Sequence, residues 1–240
     1  MTKAKSSPDP AIEALVHGKH PDPFSILGPH VIAPVPGSPG RVAIRALLPA
    51  AERVEVVRPD TAAVTPMTRR HRDGFFEASF DRESAVFDYR LRVTFHGGHT
   101  LDIDDPYRYG RVLSDFDLHL FNEGTLLRAY DHFGAHVIDV GPARGVLFAV
   151  WAPNAERVSV VGDFNGWDGR VHPMRTLGSS GVWELFVPGL AEGERYKFEI
   201  RSRATGEILS KADPYAFRSE MRPGTASGAS GTRRFRKAAG

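Results

Sequence analysis

No cysteine occurs among the 240 residues. That excludes disulfide staples, thiolate zinc sites and thiol nucleophiles, and it is the usage expected in a reducing compartment. No apolar run approaches the roughly 18 residues of a membrane span. The N-terminal Met1-Thr2-Lys3-Ala4-Lys5-Ser6 leads into Pro and Asp rather than an apolar segment, so no signal peptide is expected and a cytoplasmic location is. Glycine-rich phosphate loops, H-E-x-x-H and G-x-S-x-G are missing. Acids are plentiful, yet no glycosidase-type carboxylate pair stands out, and no catalytic residue is assigned. Ten histidines raise a metal reading at His17/His20, His96/His99 and His132/His136. None has a carboxylate partner at ligand spacing on a firm element, so neither a metal nor a cofactor is expected.

Acidic residues are also missing after Glu220, where Arg233, Arg234, Arg236 and Lys237 cluster. Without those four the formal net charge of +2 becomes −2. The sequence pI near 9.0 is thus a property of the tail, and no nucleic-acid partner is expected.

What the chain does have is a message given twice. Ala51-Glu52-Arg53-Val54-Glu55-Val56-Val57 returns as Ala155-Glu156-Arg157-Val158-Ser159-Val160-Val161, 104 residues on. Tyr89-Arg90-Leu91-Arg92-Val93 returns as Tyr196-Lys197-Phe198-Glu199-Ile200, and Asp105-Pro106-Tyr107 as Asp213-Pro214-Tyr215. A period this long means two whole domains in tandem, not a solenoid. Within each copy the apolar residues alternate: Val42, Ile44 and Ala46; Phe76, Ala78 and Phe80; Tyr89, Leu91 and Val93; then Val146, Phe148 and Val150; Trp183, Leu185 and Val187; Tyr196, Phe198 and Ile200. Short alternating strands between turn residues predict an all-β chain of two immunoglobulin-like sandwiches.

The expected boundaries are an N-terminal helix and Pro-rich loop over 1–30, a first sandwich over 31–110, a connector over 111–140, a second sandwich over 141–222, and a disordered basic tail over 223–240. Asp9, Pro10 and Gly18 frame the first helix at about Ala11 to His17. In the connector, Thr125 is expected to cap one short helix through Tyr130 that ends at Gly134. Trp183 is read as core, and Trp151 as packing between modules.

Divergence between the copies points to the site. After its second strand the second copy has Gly162-Asp163-Phe164-Asn165-Gly166-Trp167-Asp168, and the matching stretch of the first has no aromatic. A Trp in a tight turn is hard to bury and offers an apolar face to a sugar ring. The alternative is that Trp167 folds over its own sandwich edge as a lid. Lys197 alternates with the inward Tyr196, Phe198 and Ile200, so it points outward. There it either donates to sugar hydroxyls or is simply solvated.

Val150-Trp151-Ala152-Pro153-Asn154-Ala155, Val160-Val161-Gly162-Asp163-Phe164-Asn165-Gly166-Trp167, Gly181-Val182-Trp183-Glu184-Leu185-Phe186 and Tyr196-Lys197-Phe198-Glu199 resemble a carbohydrate-binding module of family 48. Lys211-Ala212-Asp213-Pro214-Tyr215-Ala216-Phe217 and Met221-Arg222-Pro223-Gly224-Thr225-Ala226-Ser227 resemble, more narrowly, the bacterial 1,4-alpha-glucan (glycogen) branching enzymes. The first copy, with Asp22-Pro23-Phe24 and Leu27-Gly28-Pro29-His30, is similar to their extra N-terminal domain. The resemblance covers about Leu15 to Ser227. It implies Trp167 and Lys197 as glucan contacts, with Asn165 in the same turn, and an α-1,4-glucan (glycogen, starch or maltooligosaccharide) as partner. It also implies that the transfer chemistry resides in a (β/α)₈ barrel whose motifs are not in these residues. A truncated or split enzyme, with the barrel as a possible separate partner, is therefore expected. The rivals are a stand-alone adaptor tethering another enzyme to glycogen and an arm of a debranching-type enzyme. Affinity is expected to be weak, because the hairpin Ala204-Thr205-Gly206-Glu207-Ile208-Leu209 lacks the second Trp of strong binders.

Overall fold

The computed structural model describes residues 9–33, 40–81, 83–220 and 224–230. The expected all-β character holds: among the described residues the two α-helices are α1 (Pro10–Val16) and α2 (Asp115–Asn122), and the others lie in strands, turns, short 3-10 segments and loops. Neither helix is long or apolar enough to cross a membrane.

The first copy comprises β1 (Gly28–Ile32), β2 (Arg41–Leu47), β3 (Ala51–Val57), β4 (Val64–Pro66), β5 (Thr68–His71), β6 (Phe75–Asp81), β7 (Arg90–Phe95) and β8 (Thr100–Ile103). The second comprises β9 (Gly134–Val140), β10 (Ala143–Trp151), β11 (Ala155–Gly162), β12 (Arg175–Thr176), β13 (Val182–Pro188), β14 (Arg195–Ser202), β15 (Ile208–Lys211), β16 (Arg218–Ser219) and β17 (Ser227–Gly228). The sheet order β1-β2-β6-β5 is repeated as β9-β10-β13-β12, and β3-β7-β8 as β11-β14-β15. Even the irregularity recurs. The register slips between Ala51 and Arg53 against β7, and between Ala155 and Arg157 against β14. A bulge at the same place in both copies is a feature of the shared fold.

Alternation places the cores. In the first copy Val42, Ile44, Phe76 and Ala78 of one sheet meet Val54, Val56, Leu91 and Val93 of the other. In the second, Phe148, Trp183 and Leu185 meet Val158, Val160, Tyr196 and Phe198. Trp183 is buried as expected, its indole N–H donating to the Ala152 carbonyl at 3.1 Å. Leu15 and Val16 of α1, Ile26, Leu27, Phe75 and Tyr107 join this second core instead of forming a separate unit. The N-terminal segment thus fills the space between the two sandwiches. Gly28, at φ +85°, marks how close that packing is: a Cβ there would meet the Tyr107 carbonyl oxygen at 2.6 Å.

Three expectations need correction. The connector helix starts not at Thr125 but after Ser114, whose hydroxyl accepts from Asp117 N while Asp117 accepts from Ser114 N. This reciprocal capping box satisfies two terminal N–H groups at once, which Thr125 alone could not. Thr125 instead donates to the Leu120 carbonyl at the other end of the helix. Second, β9 already belongs to the second sandwich by pairing with β10, so that sandwich begins at Gly134 and not at 141. Third, residues 224–230 are not a patternless tail. Ala226, Ser227, Ala229 and Ser230 are buried, and β17 pairs with β14 and β16. Small side chains let this stretch lie close against the sheet, which composition alone does not distinguish from disorder. The basic cluster at 233–237 lies outside the described residues.

Candidate carbohydrate-binding site

The distinguishing turn of the second copy is built from its own backbone outward. Beyond β11 the chain enters a 3-10 turn, Asp163–Asn165, and then two left-handed residues follow: Gly166 at φ +62° and Trp167 at φ +61°. Glycine adopts that conformation freely; a tryptophan does so at a cost on the order of 1 kcal/mol or more and must be held there. Two bonds hold it. Trp167 N donates to the Gly162 carbonyl at 3.0 Å, and the indole Nε1–H donates to Asp163 Oδ1 at 3.0 Å. The side chain is nevertheless 40% exposed. The segment after the turn runs along β11, with Val160 N donating to His172 O and Met174 N to Val158 O. It is therefore this segment that covers the strand edge, while Trp167 stays in solvent reach.

Asn165 is placed differently from what the sequence implies. Its Oδ1 accepts from Gly162 N at 2.9 Å, and its Nδ2 donates to Val160 O and to His172 Nδ1, each at 2.9 Å. Both amide protons are used inside the protein, so none remains to donate to a sugar hydroxyl. Asn165 locks the turn that presents Trp167.

Lys197 lies on β14 opposite Val161, one residue from the Gly162–Tyr196 pair, so it sits at the end of the sheet from which the turn departs. Its Nζ donates to Thr225 Oγ1 at 2.6 Å, leaving two ammonium protons for other acceptors.

Two groups that sequence reasoning did not single out complete the arrangement. Asp163 takes the indole N–H on one oxygen and, on the other, the Nε and Nη2 of Arg195 at 2.8 and 2.7 Å. Those bonds, first the indole and then the guanidinium, hold the Asp163 carboxyl below its ordinary range. His172 is partly buried, its ring 5.6 Å from that of Phe164. The packing around it pushes its pKa down to about 4, which keeps Nδ1 free of a proton and able to accept from Asn165. The Asp163–Arg195 pairing could have been suspected from the acidic residue at the turn, but Arg195 lies 32 residues away with nothing local to mark it.

A second surface lies on the connector side. Trp151 is 53% exposed and meets the α2 residue Phe121 edge-on at 6.1 Å. Phe116, Leu127, Tyr130 and Phe217 are exposed in the same region, with Tyr130 and Phe217 in edge contact. Trp151 therefore packs on the connector, not between the two sandwiches.

Comparison with known proteins gives the same division of the chain. Residues 132–216 match the model of carbohydrate-binding module 48 (isoamylase N-terminal domain), and residues 8–107 match that of the alpha-1,4-glucan branching enzyme GlgB N-terminal domain. The chain is 49% identical over 217 residues to the 1,4-alpha-glucan branching enzyme GlgB of Rubrobacter xylanophilus, covering 90% of this chain and 28% of that protein. It is likewise 49% identical over 226 residues to the enzyme of the same name from Methylococcus capsulatus, covering 94% of this chain and 29% of that one. It thus spans less than a third of the length of these relatives. Among solved structures, the pullulanase type I of Bacillus subtilis complexed with maltose matches with a TM-score of 0.35 at 19% identity, over 81% of this chain and 26% of that one.

Proposed function

We propose, for a chain that belongs to the N-terminal region of the 1,4-alpha-glucan branching enzyme family, that its second sandwich binds α-1,4-glucan through Trp167 and Lys197. The observation that carries this reading is the state of Trp167: exposed, in a left-handed conformation, with its only polar atom already bonded to Asp163. An indole whose N–H is satisfied within the protein offers only its apolar face, and that face suits the C–H side of a glucose ring. Lys197, with two free protons, supplies orientation. Asn165 belongs to the support of this site. Both copies are read as immunoglobulin-like, with the first as architecture and the second as the glucan module. In a cysteine-free chain the setting is cytoplasmic glycogen synthesis.

The 240 residues by themselves transfer no glucan in this reading, and a catalytic barrel acts where the module holds the polymer. The exposed Trp151, Phe116, Leu127 and Phe217 favour a docked barrel over a free-standing adaptor, because an adaptor has no use for so many apolar side chains in water. Affinity electrophoresis through glycogen tests the site: the chain is retarded, and Trp167→Ala runs as in glycogen-free gel. Equal retardation of the two proteins removes Trp167 from the site. Branching activity of the purified chain would overturn the division of labour.

A further inference from the structure

We infer that the glucan site is completed by the C-terminal segment that follows the module, so that Thr225 and Glu220 are positioning residues for Lys197 and Trp167. The inference rests on the glucan reading above and extends it to residues outside the matched module, which ends at 216. Both sugar-facing side chains are tied to this one segment. Lys197 is tied directly, through the 2.6 Å bond from Nζ to Thr225 Oγ1. Trp167 is tied through a relay: its Nε1–H bonds Asp163, Asp163 pairs with Arg195, and Arg195 Nη1 donates to Glu220 Oε1 at 3.1 Å.

Glu220 in turn grips the backbone beside Thr225. Its N–H donates to the Ala226 carbonyl at 2.8 Å, and its Oε2 accepts from Ala226 N at 3.3 Å. The segment is itself anchored. Tyr196 pairs with Ser227 and Arg195 with Gly228, Ser227 Oγ accepts from Asp213 N at 2.9 Å, and Ala229 is fully buried. Arg195 and Lys197 are alternate residues of β14 and share its outer face, and the same segment meets each of them. A lysine on a strand surface ordinarily samples many rotamers; fixing one before the sugar arrives removes that ordering cost from binding. Both the apolar platform and the cationic donor are therefore set by a segment lying C-terminal to the module, and glucan affinity reports on how that segment is seated.

The test uses the full chain and glycogen affinity electrophoresis, with thermal unfolding as a control on the fold. Thr225→Val removes the acceptor at an exposed position and Glu220→Gln removes the ion pair. Each is expected to weaken glycogen binding threefold or more at an unchanged melting temperature. Lys197→Met should also weaken it, and in the Thr225→Val background its effect should shrink by at least half, because the two residues act as one unit. Parent-like binding by Thr225→Val and Glu220→Gln overturns the inference, as do fully additive effects of Thr225→Val and Lys197→Met. Trp167→Ala separates the levels. If it abolishes binding while Thr225→Val and Glu220→Gln do nothing, the segment's role fails and the glucan site stands. If Trp167→Ala binds like the parent, the glucan reading itself fails.

Discussion

The Tyr89 hydroxyl donates to Oδ2 of Asp105 at 2.7 Å. The second copy repeats the contact, with the Tyr196 hydroxyl donating to Asp213, and each carboxylate also accepts the backbone N–H two residues on, from Tyr107 and Tyr215. The Asp-Pro-Tyr repeat thus ends each copy by fastening its last turn to the long strand β7 or β14. Both carboxyls are buried, and burial outweighs the hydrogen bonds they accept: Asp105 is pushed up to about 6, and Asp213 is raised as well.

A raised carboxyl makes stability depend on pH in a definite direction. Below about pH 4 Asp105 is protonated in the folded and unfolded chain alike, and its contribution is fully present. As pH rises towards about 6 the unfolded chain releases the proton first, and stability falls by about 3 kcal/mol in total. Denaturant unfolding of wild type and Asp105→Asn between pH 4 and 7 checks this. The margin of wild type over the variant should shrink as pH rises, and a margin that ignores pH means Asp105 stays ionised in the fold.

Glu184 supplies the second prediction. It is 1% exposed and accepts from Val112 N at 3.0 Å and Leu113 N at 2.9 Å, while its neighbour Arg175 donates to the Tyr109 carbonyl at 2.6 Å and stacks over Phe24 at 3.6 Å. This knot binds the connector and the N-terminal loop to the second sandwich. Glu184→Ala leaves the Val112 and Leu113 N–H groups without their acceptor and removes the carboxylate 3.6 Å from the Arg175 guanidinium, at a cost of about 3 kcal/mol. Glu184→Gln, which keeps an acceptor, should lose less. Because α1 and Tyr107 also share the second core, unfolding should remain one transition that moves down as a whole. Two separated transitions would mean the sandwiches are energetically independent.

These residues also show what the sequence could reveal. The strands were legible because one buried face imposes a two-residue period, and duplication made each strand visible twice. The alternation of Trp183, Leu185 and Val187 leaves Glu184 for the outer face of β13; what the pattern cannot contain is the connector that covers it, 71 residues away. The same limit applied to the site. Trp167 could be read from its local turn, whereas Arg195 beside Asp163 and Thr225 beside Lys197, 32 and 28 residues away, are placed by tertiary packing. The connector helix was misplaced for a different reason. Thr125 alone is the cap expected from the sequence, whereas the helix starts upstream of it, where Ser114 and Asp117 satisfy each other's N–H groups. Residues 224–230 have the Gly, Ala and Ser composition of a linker, yet those small side chains are what permits their burial against β14.

Asn165→Ala provides a third prediction, one that distinguishes support from contact. The substitution removes three hydrogen bonds at 2.9 Å and leaves Gly162 N and Val160 O short of a partner. It should cost about 2 kcal/mol of stability and also weaken glycogen binding, since the strained Trp167 loses its base. Trp167→Ala should abolish binding while lowering stability little, because the residue is 40% exposed and Asp163 keeps Arg195 as a partner when the indole is gone. If Asn165→Ala weakens binding at an unchanged melting temperature, Asn165 contacts sugar after all.

The same turn makes glucan binding sensitive to acid through His172. Its pKa stands at about 4 in the folded chain, below the usual 6.5, so its contribution is fully present above about pH 6.5 and is lost as pH falls through about 4. Protonation at Nδ1 sets a donor against the Asn165 Nδ2 donor and releases the turn that holds Trp167. Binding should therefore be level between pH 7 and 5.5 and decline towards pH 4, with the tryptophan fluorescence response to glucan declining in parallel. His172→Gln, which offers an amide oxygen at every pH, should carry binding to lower pH than wild type. Superimposable pH profiles for the two proteins would place the acid sensitivity elsewhere, with the Asp163–Arg195 pair the next group to test by Asp163→Asn.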